Sequence, residues 1–338
     1  MKKPSIHDVA QAAGVSIATV SRVVNGESSV KAETRTTVLN AINLLQYKPG
    51  MSARLMGGQR SYWVTLLYQN PIINYIHQVQ EGAEEACRQA GIMLSVHACQ
   101  RTGKGLEQEV MGIVEAFQPA GVILTLPMSV QPGLCKLLHD RQVPFVRIAP
   151  AHIRDASPQV YFDEALASRQ MTEHLIALGH RRIAMLAGLP VGQADPIVEG
   201  YERAMEEAGL KVKPAWHGSA LFQFDMAVQA ARRQLSAKSA PTAIIAANDD
   251  MAAGCMRAAY QLGLRVPEDV SIAGFGDSYV AHIVSPRLTS VQQPTRDMGR
   301  AAVNMVMSGQ ARQDDLPPLV LPHRIVAGES TAPPPADD

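Results

Sequence analysis

IHDVAQAAGVSIATVSRVVNG, residues 6–26, holds two helical periods on either side of one glycine. In the first, Ile6, Val9, Ala10 and Ala13 recur at i, i+3, i+4 and i+7, after Ser5 as a cap with Asp8 three residues on. Gly14 supplies a turn and Ser16 a second cap. Beyond it Val20, Val23 and Val24 point inward, while Ile17, Ala18, Ser21 and Arg22 are left outside. After the Asn25-Gly26 break, Val38, Ala41, Ile42 and Leu45 mark a third helix that closes a small core. Two short helices joined by a tight turn, with small Ala10 at the crossing, form a helix-turn-helix. Its second helix is shaped for the DNA major groove: Arg22 can pair with guanine O6 and N7, and Ile17 and Ala18 offer apolar contact to a thymine methyl.

The charge distribution agrees. The 338-residue chain has no net charge, yet residues 1–60 carry eight Lys and Arg against three acids, a surplus of +5 balanced by −5 over the remainder. A basic head on a mildly acidic body suits a phosphate-binding module joined to a domain of another kind. The length implies a two-lobed body behind the small head. No apolar run approaches a membrane span, and His7, Asp8 and Gln11 interrupt any secretory leader, so a cytoplasmic, nucleoid-associated protein is expected. Cys87, Cys99, Cys135 and Cys255 stand far apart with no metal-ligand spacing and read as reduced core thiols. No metal or cofactor is expected.

From Trp63 onward short apolar strands alternate with helical stretches, the pattern of βαβ units and parallel sheets. Strands are predicted at 64–68, 93–96, 121–126, 145–148, 183–187, 243–246 and 271–275. Helices are predicted at 79–90, 168–178, 198–208 and 251–262, closing at Gly91, Gly179, Gly209 and Gly263. Two such lobes leave a cleft at the carboxyl ends of their strands, where ligands of open α/β sheets bind.

The stretch at 6–26 resembles the head of the lac repressor family, and the match continues through Thr34-Arg35 and Tyr47-x-Pro49 to Ala53-Arg54. The resemblance implies that Ser16, Ile17, Ala18, Thr19, Ser21, Arg22 and Asn25 face DNA, with Ser5, His7, Lys31, Thr34 and Tyr47 completing the head's set. It further implies that residues 50–58 form a hinge helix on operator DNA, through Ala53, Arg54, Leu55 and Met56. The family's minor-groove leucine is matched by Met56, with Leu55 before it and Gly57-Gly58 after, so either residue is a candidate wedge in a weaker hinge helix.

Further stretches, MTEHLIALGHRRIAMLAG (171–188), NDDMAAG (248–254), GLRVPEDVSIAGF (263–275) and PRLTSVQQP (286–294), resemble the family's sensor domain. The expected fold is therefore a small all-α helix-turn-helix head plus an α/β, periplasmic-binding-protein-like (type I) body with parallel sheets. The head takes 1–49, the hinge and linker 50–61, and the body 62–330. Lobe one covers about 62–161 and 292–320, lobe two 162–291 and 321–330, and 331–338 is a flexible tail. That tail is proline-rich without leucine heptads, which favours a homodimer.

The effector pocket departs from the family's pattern. Its arginine three residues before a Gly-aromatic pair (here Gly200-Tyr201) is matched by Ile197, and its first aspartate after the strand near 275 by Gly276, leaving Asp277. Asp163 and Asn248 remain at ligand-contacting positions, each able to act as a helix cap instead. Gln69, Asn74 and Tyr75 follow the first strand, where loops line the cleft. The implied function is a transcriptional regulator, a repressor, that binds palindromic operator DNA and senses a carbohydrate. An enzyme is disfavoured because the chain lacks GxGxxG after a strand, a Walker loop, GxSxG and HExxH. A free periplasmic binding protein is disfavoured by the basic head and the missing leader.

Overall fold

The computed structural model describes residues 4–24, 29–45, 47, 63–69, 72–148, 157–191, 193–313 and 315–335. Asn25 and the hinge residues Ala53, Arg54, Leu55 and Met56 lie outside the described residues. The chain divides into two compact units, residues 1–63 with 117–120, and residues 64–116 with 121–338.

In the first unit, α1 (Ile6–Ala13) begins at a complete capping box: the Ser5 N–H donates to the Asp8 carboxylate at 2.7 Å, and the Asp8 N–H donates to Ser5 Oγ at 3.4 Å. Gly14 ends it at φ 65°, ψ 30°, a left-handed conformation that an L side chain resists. The next helix, α2 (Ile17–Val24), opens on Ser16, whose Oγ accepts the Thr19 N–H at 3.1 Å. With α3 (Ala32–Leu44) it buries Val9, Ala10, Val20, Val23, Val38 and Ala41 in one cluster.

The second unit holds two six-stranded sheets. The first combines β1 (Trp63–Tyr68), β2 (Met93–Ala98), β3 (Gly121–Leu124), β4 (Phe145–Ile148), β5 (Gln159–Tyr161) and β11 (Leu319–Val320), in the order β11-β5-β4-β3-β1-β2. Around it run α4 (Ile73–Ala90), α5 (Lys104–Phe117), α6 (Pro132–Asp140) and α12 (Thr295–Ser308). The second sheet orders β12 (Arg324–Val326), β10 (Thr289–Gln292), β9 (Ser271–Phe275), β8 (Ala243–Ala246), β6 (Ile183–Ala187) and β7 (His217–Ser219). Its helices are α7 (Glu164–Ala177), α8 (Pro196–Glu207), α9 (Phe224–Leu235), α10 (Asp249–Gln261) and α11 (Tyr279–Ile283). The described pairings are parallel except β12 on β10.

The central strands GVIL, IAMLA and AIIA are buried at every position, the unbroken apolar run of a parallel sheet covered on both faces. The chain passes between the sheets after β5, after β10 and after β11, so both lobes are finished by residues near the carboxyl end. All four cysteines are free and buried, and burial pushes the thiols of Cys87, Cys99 and Cys255 up to about 12. No described helix is long and apolar enough to cross a membrane.

Two expectations need correction. The strand predicted at 121–126 stops at Leu124: the Thr125 N–H and hydroxyl both donate to the Leu67 carbonyl, at 3.3 and 3.2 Å, and Pro127, which has no N–H to continue a ladder, follows. The tail expected to be flexible from 331 is tied down at its start. Thr331 meets Thr289 hydroxyl to hydroxyl at 2.8 Å, and the Ala332 N–H donates to Ser271 Oγ at 3.0 Å. The Ala332 carbonyl lies 2.8 Å from His180 Nε2. His180, 1% exposed and also 3.0 Å from Thr242 through Nδ1, is a structural knot under this segment.

Candidate nucleic-acid interface and effector cleft

The head presents a coherent outer face. Ser5, His7, Ser16, Ile17, Ala18, Arg22 and Lys31 are exposed, and Thr19, Ser21 and Thr34 are half-buried. Ile17, 41% exposed at the start of α2, gains nothing from the head's own core, so its apolar surface is available to a base edge. Lys31 begins α3 without capping it, leaving the ammonium to solvent. Tyr47 differs from expectation: at 6% exposure it belongs to the hydrophobic core, so its ring packs the head rather than offering an exposed DNA contact.

In the body, the residues predicted around the cleft separate into two places. At the first, Asn74 in the opening turn of α4 reaches across the lobes to the Asp250 carboxylate in the opening turn of α10 at 3.4 Å. Next to Asn74, Tyr75 is half-buried, but its hydroxyl is sealed from solvent and has no hydrogen-bond partner. Burial, and then the nearby Glu164, hold that hydroxyl far above the ordinary tyrosine range. Asn248 caps α10, its Oδ1 accepting the Met251 N–H at 2.8 Å, while its buried Nδ2 is unpartnered. Asp163 caps α7 by accepting the Leu166 N–H at 2.8 Å. Gln69 is turned aside, its amide donating to the Arg101 carbonyl.

Sequence reasoning passed over Glu164 and Asp195. Glu164 follows Asp163 directly, and burial pushes its carboxyl up to about 8, with Asp195 and Asp163 adding to the rise. Asp195 is 5% exposed and accepts the Ile197 N–H at 3.0 Å. The polar group at the start of α8 is therefore Asp195, and Ile197, 6% exposed, belongs to the packed interior. A second missed feature is Phe222, whose ring occupies the space a Cβ on Gly188 would need, at the carboxyl edge of β6. Because β7 pairs in register with β6, the loops after both strands lie side by side and expose Leu189, Val191, Leu221 and Phe224. The only sequence sign was the apolar run Leu221-Phe222, which followed a strand too short to recognise.

The second place explains Gly276. It has φ 130°, and a Cβ there would stand 2.9 Å from Asp249 Oδ2. Asp249, 1% exposed, accepts from Ser290 Oγ at 2.6 Å and from the Ser278 N–H at 2.7 Å. Burial pushes its carboxyl up to about 6 against those hydrogen bonds. A carboxylate is thus supplied from the neighbouring strand end, in the space a side chain at 276 would enter. Asp277 accepts from Gln292 at 2.8 Å and pairs with His282 at 3.1 Å. It lines a cavity of about 510 Å³ beneath the crossovers, together with Gln78, Arg296, His323 and Arg324. Tyr75, Asp163 and Asn248 are absent from that lining, so Asp277 does not join them.

Residues 5–50 match the model of bacterial regulatory proteins of the lacI family, and residues 172–331 match that of a periplasmic binding protein-like domain. Catabolite control protein A of Priestia megaterium is 32% identical over 97% of this chain and 99% of its own. The chain belongs to the lacI family of bacterial regulatory proteins. Among solved structures, this lacI-family regulator is similar to a transcriptional regulator CelR–cellobiose complex, at 30% identity and TM-score 0.71 over 97% of this chain and 99% of the other. It is also similar to the lac repressor dimer bound to operator and the anti-inducer ONPF, at 28% identity and TM-score 0.75 over 98% and 100%. The fold is the family's: an amino-terminal helix-turn-helix and a two-lobed body with parallel-dominated sheets.

Proposed function

We propose that this lacI-family regulator is a repressor that binds a palindromic operator as a homodimer and is controlled by a sugar or glycoside in the cleft between its lobes. The observation that carries the DNA half is the division of α2. Val20 and Val23 are buried, while Ile17, Ala18 and Arg22 stand on the exposed face. One helix-turn-helix per chain reads one half-site, so a two-fold dimer reads a two-fold site. The effector half is supported by the unpartnered Tyr75 hydroxyl and Asn248 amide between the lobes, where Asn74 meets Asp250. A buried polar atom without a partner is costly unless a ligand satisfies it. The operator-bound lac repressor and the cellobiose-bound CelR add support by similarity.

Gel-shift titration on the chain's own promoter region, repeated across salt concentrations, tests the first half. A salt-dependent shift and a footprint of paired half-sites are expected. A single half-site protected by a monomer refutes the dimer. For the second half, effector affinity must change with operator by the same factor as operator affinity changes with effector. Equal effector affinities with and without operator refute the coupling.

A further inference from the structure

Gly188 past β6 and Asn248 past β8 each stand two residues beyond the registered pair of Leu186 with Ala246, which brings them side by side at the strand ends. Asn248 Nδ2 is sealed from water and unpartnered, as is the Tyr75 hydroxyl. Asn74, next to Tyr75, reaches Asp250 across the lobes, so these strand ends face the first lobe. On the other side of Gly188, the chain leaving β7 turns through Leu221 and Phe222 at φ 48° and 58°, a left-handed conformation that is costly for two successive L side chains. The turn lays the Phe222 ring over Gly188, in the space a Cβ would fill. On the same two loops Leu189, Val191 and Leu221 are exposed.

From this arrangement we propose that the effector is a glycoside with an aromatic aglycone. Its sugar engages Asn248 and Tyr75, and its aglycone lies on the Phe222 ring beside Leu189 and Leu221. The inference rests on the reading of this cleft as the effector site and specifies the chemistry of one end of what fills it. Neighbouring strands are about 5 Å apart, the width of one sugar ring, so a ring held at Asn248 puts its first substituent over Gly188 and Phe222. The strand beyond, β7, is the edge of its sheet, so no further strand limits the size of the aglycone. A free hexose satisfies the polar atoms but leaves the apolar side chains in water. An aryl group removes apolar area from water and meets the Phe222 ring offset or edge to face.

Exposed apolar side chains scattered singly over a surface are ordinary. These are grouped on two adjoining loops, and the aromatic one is held by backbone conformations that persist only where the surroundings enforce them, as they do at ligand clamps. They also adjoin a buried amide that lacks a partner. Pockets for small molecules have this make-up, an apolar and aromatic lining with a few convergent polar groups. A contact between two copies of the chain accounts for the exposed leucines and valine, but not for a ring folded down onto a glycine beside an unsatisfied amide.

The test is a thermal-shift screen and calorimetry on the full chain with the phenyl and methyl glycosides of D-glucose, D-galactose and D-mannose, in both anomeric forms, and with the free sugars. The expected result is a phenyl glycoside that binds about tenfold more tightly than its methyl counterpart, with a more negative heat-capacity change. Phe222→Ser should shrink that ratio to within about twofold, and Leu189→Ser should reduce it in part. Leu189 is exposed, so its variant reads the aglycone contact even if Phe222→Ser does not fold. A methyl glycoside or free sugar that binds as tightly as the phenyl form overturns the aglycone assignment and leaves a sugar effector standing. So does a Leu189→Ser chain that keeps the full ratio and instead dissociates in sedimentation, which assigns the loops to a contact between copies. If no compound shifts the melting temperature while operator binding persists, the sugar-effector reading falls and this inference with it.

Discussion

Replacing Gly276 by aspartate restores, on sequence grounds, an acid that the family's pattern places there, and the structure says this should harm the protein. The position sits at φ 130°, where a non-glycine residue costs about 1–3 kcal/mol. The new Cβ would also press on Asp249 Oδ2 at 2.9 Å, an atom held by the Ser278 N–H and therefore unable to withdraw cheaply. A second carboxylate then faces one that burial already pushes up to about 6. Together these costs come to about 3 kcal/mol, which for a body of this size lowers the melting temperature by roughly 5–10 °C. Differential scanning calorimetry of Gly276→Asp beside Gly276→Ala separates the parts. Alanine carries the backbone and contact cost alone, and the aspartate variant should melt lower still. The cost of Gly276→Asp should shrink in an Asp249→Ala background, since contacting residues couple. A Gly276→Asp protein that melts within 1 °C of the parent would refute the placement of Asp249.

Other substitutions have equally definite outcomes. Arg22→Ala should cost ~1–3 kcal/mol of operator binding and relax preference at one guanine per half-site, whereas Lys31→Ala should weaken all sequences alike and flatten the salt slope; identical specificity profiles would remove Arg22 from base reading. Ser5→Ala should destabilise the head by about 1 kcal/mol through loss of the capping box, read by denaturation of the isolated transition of the helical signal. Glu164 holds its proton to about pH 8 in the fold but releases it near 4.5 when unfolded, so the folded state binds the extra proton between those values and stability falls as pH rises through them. Glu164→Gln should therefore flatten that decline, whose limiting slope is roughly 1.4 kcal/mol per pH unit. Ser330→Ala should destabilise the second lobe by about 1–3 kcal/mol, because its hydroxyl accepts the Thr289 N–H at 2.9 Å and donates to the Ile272 carbonyl inside the fold.

What could be read in the sequence followed from how strongly each element is patterned locally. The strands at 145–148, 183–187, 243–246 and 271–275 have the predicted bounds, since continuous apolar runs flanked by turns leave little choice. The short strands β5, β7, β11 and β12 carry two or three residues each, too few to show a period, and exist because a neighbouring strand offers its edge. Helix α4 begins six residues before the predicted start at Val79, in a first turn, Ile73–Ile76, where Ile73 is exposed and only Ile76 is buried, so the turn shows no clear apolar period. The same limit applied to the candidate site. Asn74, Tyr75, Asp163 and Asn248 could be named as candidates from their places after a strand and at helix starts, but Glu164 looked like a helix-start acid, and only the burial and neighbouring acids that raise its carboxyl mark it out. The exchange between Gly276 and Asp249 joins positions 27 residues apart, and no local pattern reports a contact of that range.

The way the lobes are completed has a consequence for synthesis. A chain emerging amino end first has all of α1, α2 and α3 available once residue 47 is free, and that three-helix core needs nothing further along. Neither sheet can be finished so early. The first waits for α12 and β11, and the second for β12 and for the segment around Ser330 that closes over Ile272 and His180. During translation at roughly 5–20 residues per second, a complete helix-turn-helix head would therefore exist for many seconds while the two-lobed body is still open along two sheet edges. A ribosome stalled within the final stretch would leave a nascent chain whose helix-turn-helix is complete while both sheets of its body still lack a closing strand.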